Sequence, residues 1–151
     1  MPPLPTDLRG VVAEFDPNEL LFRRFKKEQW VDGTLLPTAL PFPRPSFNRS
    51  QFSVPRDVLH PHCAAGKDLS NWGVFKCAVR DIPREVRAAD GVRFHFRPEH
   101  EPLPTCYAHS VISCADADSP HGAQIPPSKT AKNLFRIELA KAIERVVEPD
   151  I

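Results

Sequence analysis

The chain has few glycines and no long apolar run, and these shortages exclude several kinds of protein. Only six of its 151 residues are glycine, against eighteen prolines. No segment reaches the roughly 18 consecutive apolar residues that a membrane-spanning helix needs. The N-terminus has neither the basic start nor the apolar run of a signal peptide. We therefore expect a cytoplasmic protein with no membrane partner.

Signatures of catalytic and cofactor sites are also missing. The chain contains no Gly-x-Ser-x-Gly nucleophile elbow, no phosphate-binding loop and no His-Glu-x-x-His zinc motif. Charge of one sign is not in excess, since 20 basic residues balance 19 acidic ones for a net charge of +1. Any nucleic-acid site must therefore be a local patch. We expect no cofactor.

The four cysteines include no Cys-x-x-Cys pair, which argues against the common zinc knuckles. In a reducing cytoplasm, cysteines are usually free thiols, and free cysteines are usually buried. We therefore predict free, mostly buried thiols.

The abundant prolines divide the chain into short segments, because proline fixes φ and lacks a backbone donor. We expect a loose lead-in at residues 1–10 and one globular domain at residues 11–149. Residues 37–46 contain too many prolines for a central strand and are predicted to be an extended surface loop.

Alternating apolar residues predict strands at residues 73–79 and 92–96, with further strands at 52–54 and 106–114. Asp32-Gly33 is a favoured hairpin turn. Asp16-Pro-Asn-Glu19 is typical of a turn or a helix start, so the apolar residues that follow suit a short helix or a strand equally well.

Two helical segments are predicted. Residues 81–87 favour one or two helical turns. Residues 128–147 have apolar residues at three- and four-residue spacing, with Ser128 or Thr130 as the cap. The predicted fold class is α+β: a small, mostly antiparallel sheet with short helices, a C-terminal helix packed on it and proline-rich loops.

Several short motifs resemble a scattered family of short uncharacterised bacterial proteins. The motifs are Leu21-Phe-Arg-Arg24, Asp32-Gly33, Phe47-Asn-Arg-Ser50 with Phe52-Ser-Val54, Cys106-Tyr-Ala-His109 and Arg136-Ile-Glu-Leu-Ala140. The resemblance covers most of residues 20–147 and departs from the pattern between Leu59 and Asn71 and from Asp116 to Pro127. It implies no established activity. A role in a bacterial accessory, defence or toxin–antitoxin system is compatible with it.

Histidines and arginines form the first candidate site. If the strands at 92–96 and 106–114 pair, His95 and His109 approach each other, with Arg93 and Arg23 as possible cationic partners. Two imidazoles can exchange protons while guanidinium groups neutralise an anion, which suits phosphodiester chemistry. The favoured interpretation is nevertheless a solvated sheet face.

The only basic run contains Arg23, Arg24, Lys26 and Lys27, with aromatic residues between and beside them. Such a run can bind phosphates and stack on bases. Alternatively, it is a solvated face, or one of its arginines pairs with a buried carboxylate such as Glu99 or Glu101.

His60, His62 and Cys63 are the densest group of potential metal ligands, since imidazole and thiolate suit zinc. We favour an ordinary surface loop there, because the proline between the histidines indicates an extended, exposed segment.

These observations favour a non-catalytic protein-interaction module or accessory subunit. Extended proline segments lose little entropy on binding, so Pro41-Phe-Pro-Arg-Pro45 is a suitable contact strip. The alternative is a small phosphodiester- or nucleotide-acting enzyme that uses the His/Arg site. The expected partner is another protein, bound through five candidate residues: Phe42, Arg44, Arg49, Lys132 and Arg136.

Overall fold

A computed structural model describes residues 14–118 and 124–149. The strands in this part of the chain are β1 (Leu20–Phe25), β2 (Trp30–Val31), β3 (Thr34–Leu35), β4 (Ser46–Arg49), β5 (Gly73–Ala78), β6 (Glu85–Arg87), β7 (Arg93–His100), β8 (His109–Asp116) and β9 (Glu144–Val147). One α-helix, α1, spans Lys129–Ala140 and is accompanied by several short 3-10 turns.

The strands form a mostly antiparallel sheet, as the sequence predicts. Seven of them lie in the order β6-β7-β8-β4-β1-β5-β9, while β2 and β3 form a separate hairpin. Asp32 and Gly33 turn this hairpin with φ angles of 52° and 77°, so the Asp-Gly prediction is confirmed. The predicted lead-in at residues 1–10 lies outside the described residues.

The main core lies between one face of the sheet and α1. Ala131, Phe135 and Leu139 of the helix are fully buried, and the Phe135 ring lies 4.4 Å from that of Phe96 in β7. Ser128, one of the two predicted caps, accepts a hydrogen bond from the Ala131 amide and caps the helix.

A second cluster covers part of the opposite face of the sheet. Phe22 and Val74 pack there against Val58, Leu59 and Leu69. The segment that follows residue 54 therefore contributes apolar side chains to this cluster. Its start is a 3-10 turn at Pro55–Leu59.

Four predicted elements differ from the structure. Residues 52–54 form the end of a turn and an irregular segment instead of a strand, and residues 81–87 contain β6 instead of helical turns. The predicted loop at 37–46 begins with a 3-10 turn, and its Leu40 and Pro45 are buried. The helix predicted to reach Val147 ends at Ala140, and the residues after it form β9.

Tertiary pairing explains two of these differences. β6 pairs with β7, with Val86 opposite Phe94, and β9 pairs with β5, with Val147 opposite Val74. Each strand pairing provides hydrogen bonds for backbone N–H and C=O groups and buries a valine side chain. Together these contributions outweigh the local helical preference of a short segment.

A disulfide bond joins Cys63 to Cys106, whose Cα atoms lie 5.0 Å apart. The prediction of free thiols is therefore wrong for these two cysteines. Cys77 and Cys114 are free and buried as predicted, and burial raises the pKa of Cys77 to about 12 and that of Cys114 to about 11. The cytoplasmic location stays a prediction, and a disulfide is more typical of oxidising compartments.

Within residues 14–118 and 124–149, no helix has the length and apolar character required to cross a membrane.

Candidate functional site

A small cavity lies where β1 separates from β4. The two strands pair at Leu21–Arg49 and Phe22–Asn48, whereas Ser46 and Phe47 pair only with β8. The resulting gap, here called the interstrand cavity, has a volume of about 20 Å³ and is lined by Phe22, Arg23, Arg24, Ser46, Phe47, Asn48, Val58, Cys63 and His109.

Backbone carbonyl groups hold the two arginines of the cavity. Arg23 donates from Nε to the Ala39 carbonyl at 2.6 Å and from Nη1 to the Ser46 carbonyl at 2.8 Å. Arg24 donates more weakly, from Nη1 to the Val58 carbonyl at 3.3 Å. Burial, together with the neighbouring charge of Arg24, lowers the pKa of Arg23 to about 10.

His109 reaches the same cavity from β8, where it lies opposite Asn48. Its Nδ1 lies 2.7 Å from the Glu101 carbonyl oxygen. Since a carbonyl oxygen only accepts, Nδ1 carries the proton in this hydrogen bond and Nε2 of the neutral ring has the lone pair. The cavity therefore combines two guanidinium groups with one oriented imidazole.

His95 and Arg93 do not join His109 and Arg23. His95 in β7 lies opposite Ala115, which is six positions from His109 along β8, or roughly 20 Å at the usual rise of a strand. Arg93 forms ion pairs with Glu85 and Asp118. The predicted approach of His95 to His109 is therefore wrong, because the strands pair in a register that separates them.

The basic run is divided among several environments. Arg23 and Arg24 line the interstrand cavity, and neither pairs with Glu99 or Glu101, which lie beside Arg97 and Arg44. Lys26 lies over the Trp72 ring, 5.4 Å from its centroid, and Lys27 is exposed. A nucleic-acid role for this run stays a prediction.

The proline strip contributes part of its side chains to internal contacts, with Pro41 and Pro43 exposed and Pro45 buried. The Phe42 ring packs edge-on against Phe96 and Phe135, with Arg136 above it at 5.6 Å. Arg136 also donates to the Leu40 carbonyl at 2.8 Å. Arg44 pairs with Glu101. Of the five predicted contact residues, only Lys132 has no role in these internal contacts or in the buried pair described next.

A buried ion pair that the sequence analysis did not identify lies at the start of the sheet. Arg49 is completely buried and donates to both carboxylate oxygens of Glu19, at 2.8 and 2.9 Å. Its guanidinium carbon lies 3.9 Å from the centroid of the Phe15 ring. Arg49 is therefore a structural residue and is unsuited to contact a partner.

His100 packs beside this pair. Both of its ring nitrogens are buried and have no hydrogen-bond partner among the described residues. Its ring lies against Phe52 and Tyr107, at centroid distances of 5.7 and 5.0 Å. Burial, reinforced by the positive charge of Arg49, lowers the pKa of His100 from 6.5 to about 4.

This lowered pKa predicts a loss of stability in mild acid. Between pH 6.5 and about 4 the unfolded chain binds a proton at His100 that the folded chain does not, so the free energy of unfolding falls as pH falls. One proton contributes a slope of at most about 1.4 kcal/mol per pH unit. Urea unfolding at several pH values should show a flatter dependence for His100→Phe than for the wild type. Parallel curves would contradict this assignment.

The candidate metal ligands do not form a site. Cys63 is bonded to Cys106, and the His60 and His62 rings stack with centroids 3.8 Å apart. Among the described residues, no group of three or more His, Cys, Asp or Glu side chains is arranged to hold a metal ion.

Comparison with known proteins finds no matching family model, curated protein or solved structure. The resemblance to short bacterial proteins therefore stays a prediction.

Proposed function

We propose that this protein is a non-catalytic interaction module, an accessory subunit that binds another protein through the outer face of α1. The observation that carries this proposal is an apolar ridge on the helix. Ile137 is 56% exposed and Leu134 is 40% exposed, one helical turn apart. Large apolar side chains grouped on an exposed helix face are typical of protein contacts.

A groove continues the ridge towards the end of the helix. It has a volume of about 190 Å³ and lies between the β2–β3 hairpin and the residues that follow α1. Trp30 and Leu35 line it on one side, and Ala140 and Ile143 on the other. A side chain of the partner that enters this groove would anchor the complex next to the ridge.

Basic side chains at the edge of the outer face of α1 indicate the kind of partner. Lys129 and Lys132 lie on one flank of α1, and neither forms an ion pair with another described residue. The proposed partner is therefore a protein segment with apolar anchors and neighbouring acidic residues. Complementary charges of this kind speed association and select the partner.

The enzyme alternative has weaker support. A proton-exchange mechanism needs two imidazoles near one substrate, whereas the register of β7 and β8 separates His95 from His109 by roughly 20 Å.

The interaction proposal can be tested by affinity purification of the tagged full chain from its native cell, followed by mass spectrometry. We expect a stoichiometric protein with an acidic amphipathic segment, whose recovery decreases as salt is raised. The variant Leu134→Gln/Ile137→Gln should reduce recovery at least tenfold, because glutamine removes the apolar contacts and still favours a helix. Val54→Gln is the matched control, since Val54 is 61% exposed and lies outside the helix.

Two results would count against the proposal. One is equal recovery of the partner by the helix variant and the wild type. The other is recovery of RNA or nucleotide with no protein partner, together with chemical turnover of that nucleic acid or nucleotide, which would favour the enzyme alternative.

A further inference from the structure

The interstrand cavity contains two cationic side chains and no carboxylate. Its lining residues include Arg23 and Arg24 and no aspartate or glutamate. Neither arginine forms an ion pair with another described residue, and the hydrogen bonds that they donate all go to backbone carbonyls. Two neighbouring positive charges held without a counter-charge are costly at a partly buried site, and a bound anion would offset that cost.

The side chains of Arg23 and His109 each retain a nitrogen that forms no hydrogen bond with another described residue. Arg23 uses Nε and Nη1 for carbonyls, which leaves Nη2 without a partner among the described residues. His109 donates from Nδ1 to the Glu101 carbonyl, which leaves Nε2 free to accept a hydrogen bond from a ligand. Arg23 and His109 are both only partly buried and line the cavity, so a ligand that enters the cavity can approach these two nitrogens.

The size of the cavity restricts what can enter. A volume of about 20 Å³ has room for one water-sized atom. A ligand can therefore place a single anionic oxygen inside, while the rest of the molecule remains at the mouth.

We propose that the interstrand cavity binds a phosphate group, either of inorganic phosphate or of a small phosphate monoester, through Arg23, Arg24 and His109. Guanidinium groups match the oxygens of a phosphate in geometry and charge. The lone pair on Nε2 of His109 accepts a hydrogen bond from a protonated phosphate oxygen. Sulfate has the same tetrahedral shape and the same charge as the HPO4 dianion but carries no such proton, so the site should prefer phosphate to sulfate.

Isothermal titration calorimetry of the full chain at pH 6.5 and low salt tests this proposal. The three titrants are inorganic phosphate, a nucleoside monophosphate and sulfate. We expect saturable binding of at least one of the two phosphates and weaker binding of sulfate. Equal affinity for both phosphates identifies inorganic phosphate as a sufficient ligand, and tighter binding of the nucleotide identifies the monoester as the preferred one.

Variants distinguish binding in the interstrand cavity from non-specific attraction of the anion to positive charge on the protein. Arg24→Gln and His109→Gln should each weaken phosphate binding about tenfold, because each removes one hydrogen bond to a charged ligand. Lys67→Gln removes the same charge as Arg24→Gln from an exposed position outside the cavity lining and should leave the affinity unchanged. Circular dichroism verifies folding, and His109→Gln serves alone if Arg24→Gln does not fold.

Three outcomes would overturn the proposal. They are no saturable heat with either phosphate, the same loss of affinity in Lys67→Gln as in the cavity variants, and equal affinity for sulfate and phosphate. None of these variants alters Leu134 or Ile137, so the result does not depend on the proposed protein interaction.

Discussion

Replacing Glu19 by glutamine should lower the free energy of unfolding by about 3 kcal/mol, because Arg49 then loses its carboxylate inside the protein. Arg49 has a fully buried side chain, and the side chain of Glu19 is 6% exposed. Glutamine keeps the shape of glutamate, so the change isolates the charge from any cavity effect. Urea unfolding followed by circular dichroism measures the difference.

A surface pair provides the matched control. Glu144 forms an ion pair with Lys76 at 3.4 Å, but its side chain is 71% exposed. Glu144→Gln should therefore change the stability by less than about 1 kcal/mol. Equal effects of Glu144→Gln and Glu19→Gln would contradict the structural role of the buried pair.

A double variant tests the origin of the effect. Replacing both partners, as Glu19→Leu/Arg49→Met, removes the buried charge altogether. Apolar replacement of a buried pair is often nearly neutral, so much of the lost stability should return. A double variant that is less stable than Glu19→Gln would indicate that the contacts of Arg49 with Phe15 and its neighbours matter more than its charge.

Reducing the disulfide should destabilise the protein by about 4 kcal/mol. Cys63 and Cys106 are 43 positions apart, and the bond restricts the unfolded chain by closing this long loop. The loss is large beside the roughly 5–15 kcal/mol that stabilises most small proteins. Urea unfolding with and without a dithiol reductant measures it.

The double variant Cys63→Ser/Cys106→Ser is the control for this experiment. It should unfold at about the same urea concentration as the reduced wild type, and reductant should not change its unfolding. An unchanged midpoint for the wild type, with thiol titration confirming reduction, would contradict the prediction.

The sequence was sufficient to predict an element of the fold where the local residue pattern and the tertiary environment favour the same structure. The alternating residues of β5 and β7, the Asp-Gly turn and the Ser128 cap were all predicted correctly, because each depends on neighbours within a few residues. The mostly antiparallel sheet and the C-terminal helix follow from the same local signals.

The candidate site could be predicted only in part. Arg23 and His109 were identified as candidates and do line one cavity, but their supposed partners Arg93 and His95 lie elsewhere on the sheet. Strand register decides which residues meet, and a short alternating pattern does not specify the register. The contribution of Arg24 arises only where β1 leaves β4.

The amino-acid sequence by itself determined the apolar faces of the central strands, the helix start and the absence of known catalytic motifs. Only the tertiary structure decided that residues 144–147 form an edge strand, that Arg49 pairs with Glu19 and that Cys63 meets Cys106. Each of these contacts joins residues that are distant in the chain. Their free energy comes from long-range pairing and burial, to which local preference contributes little.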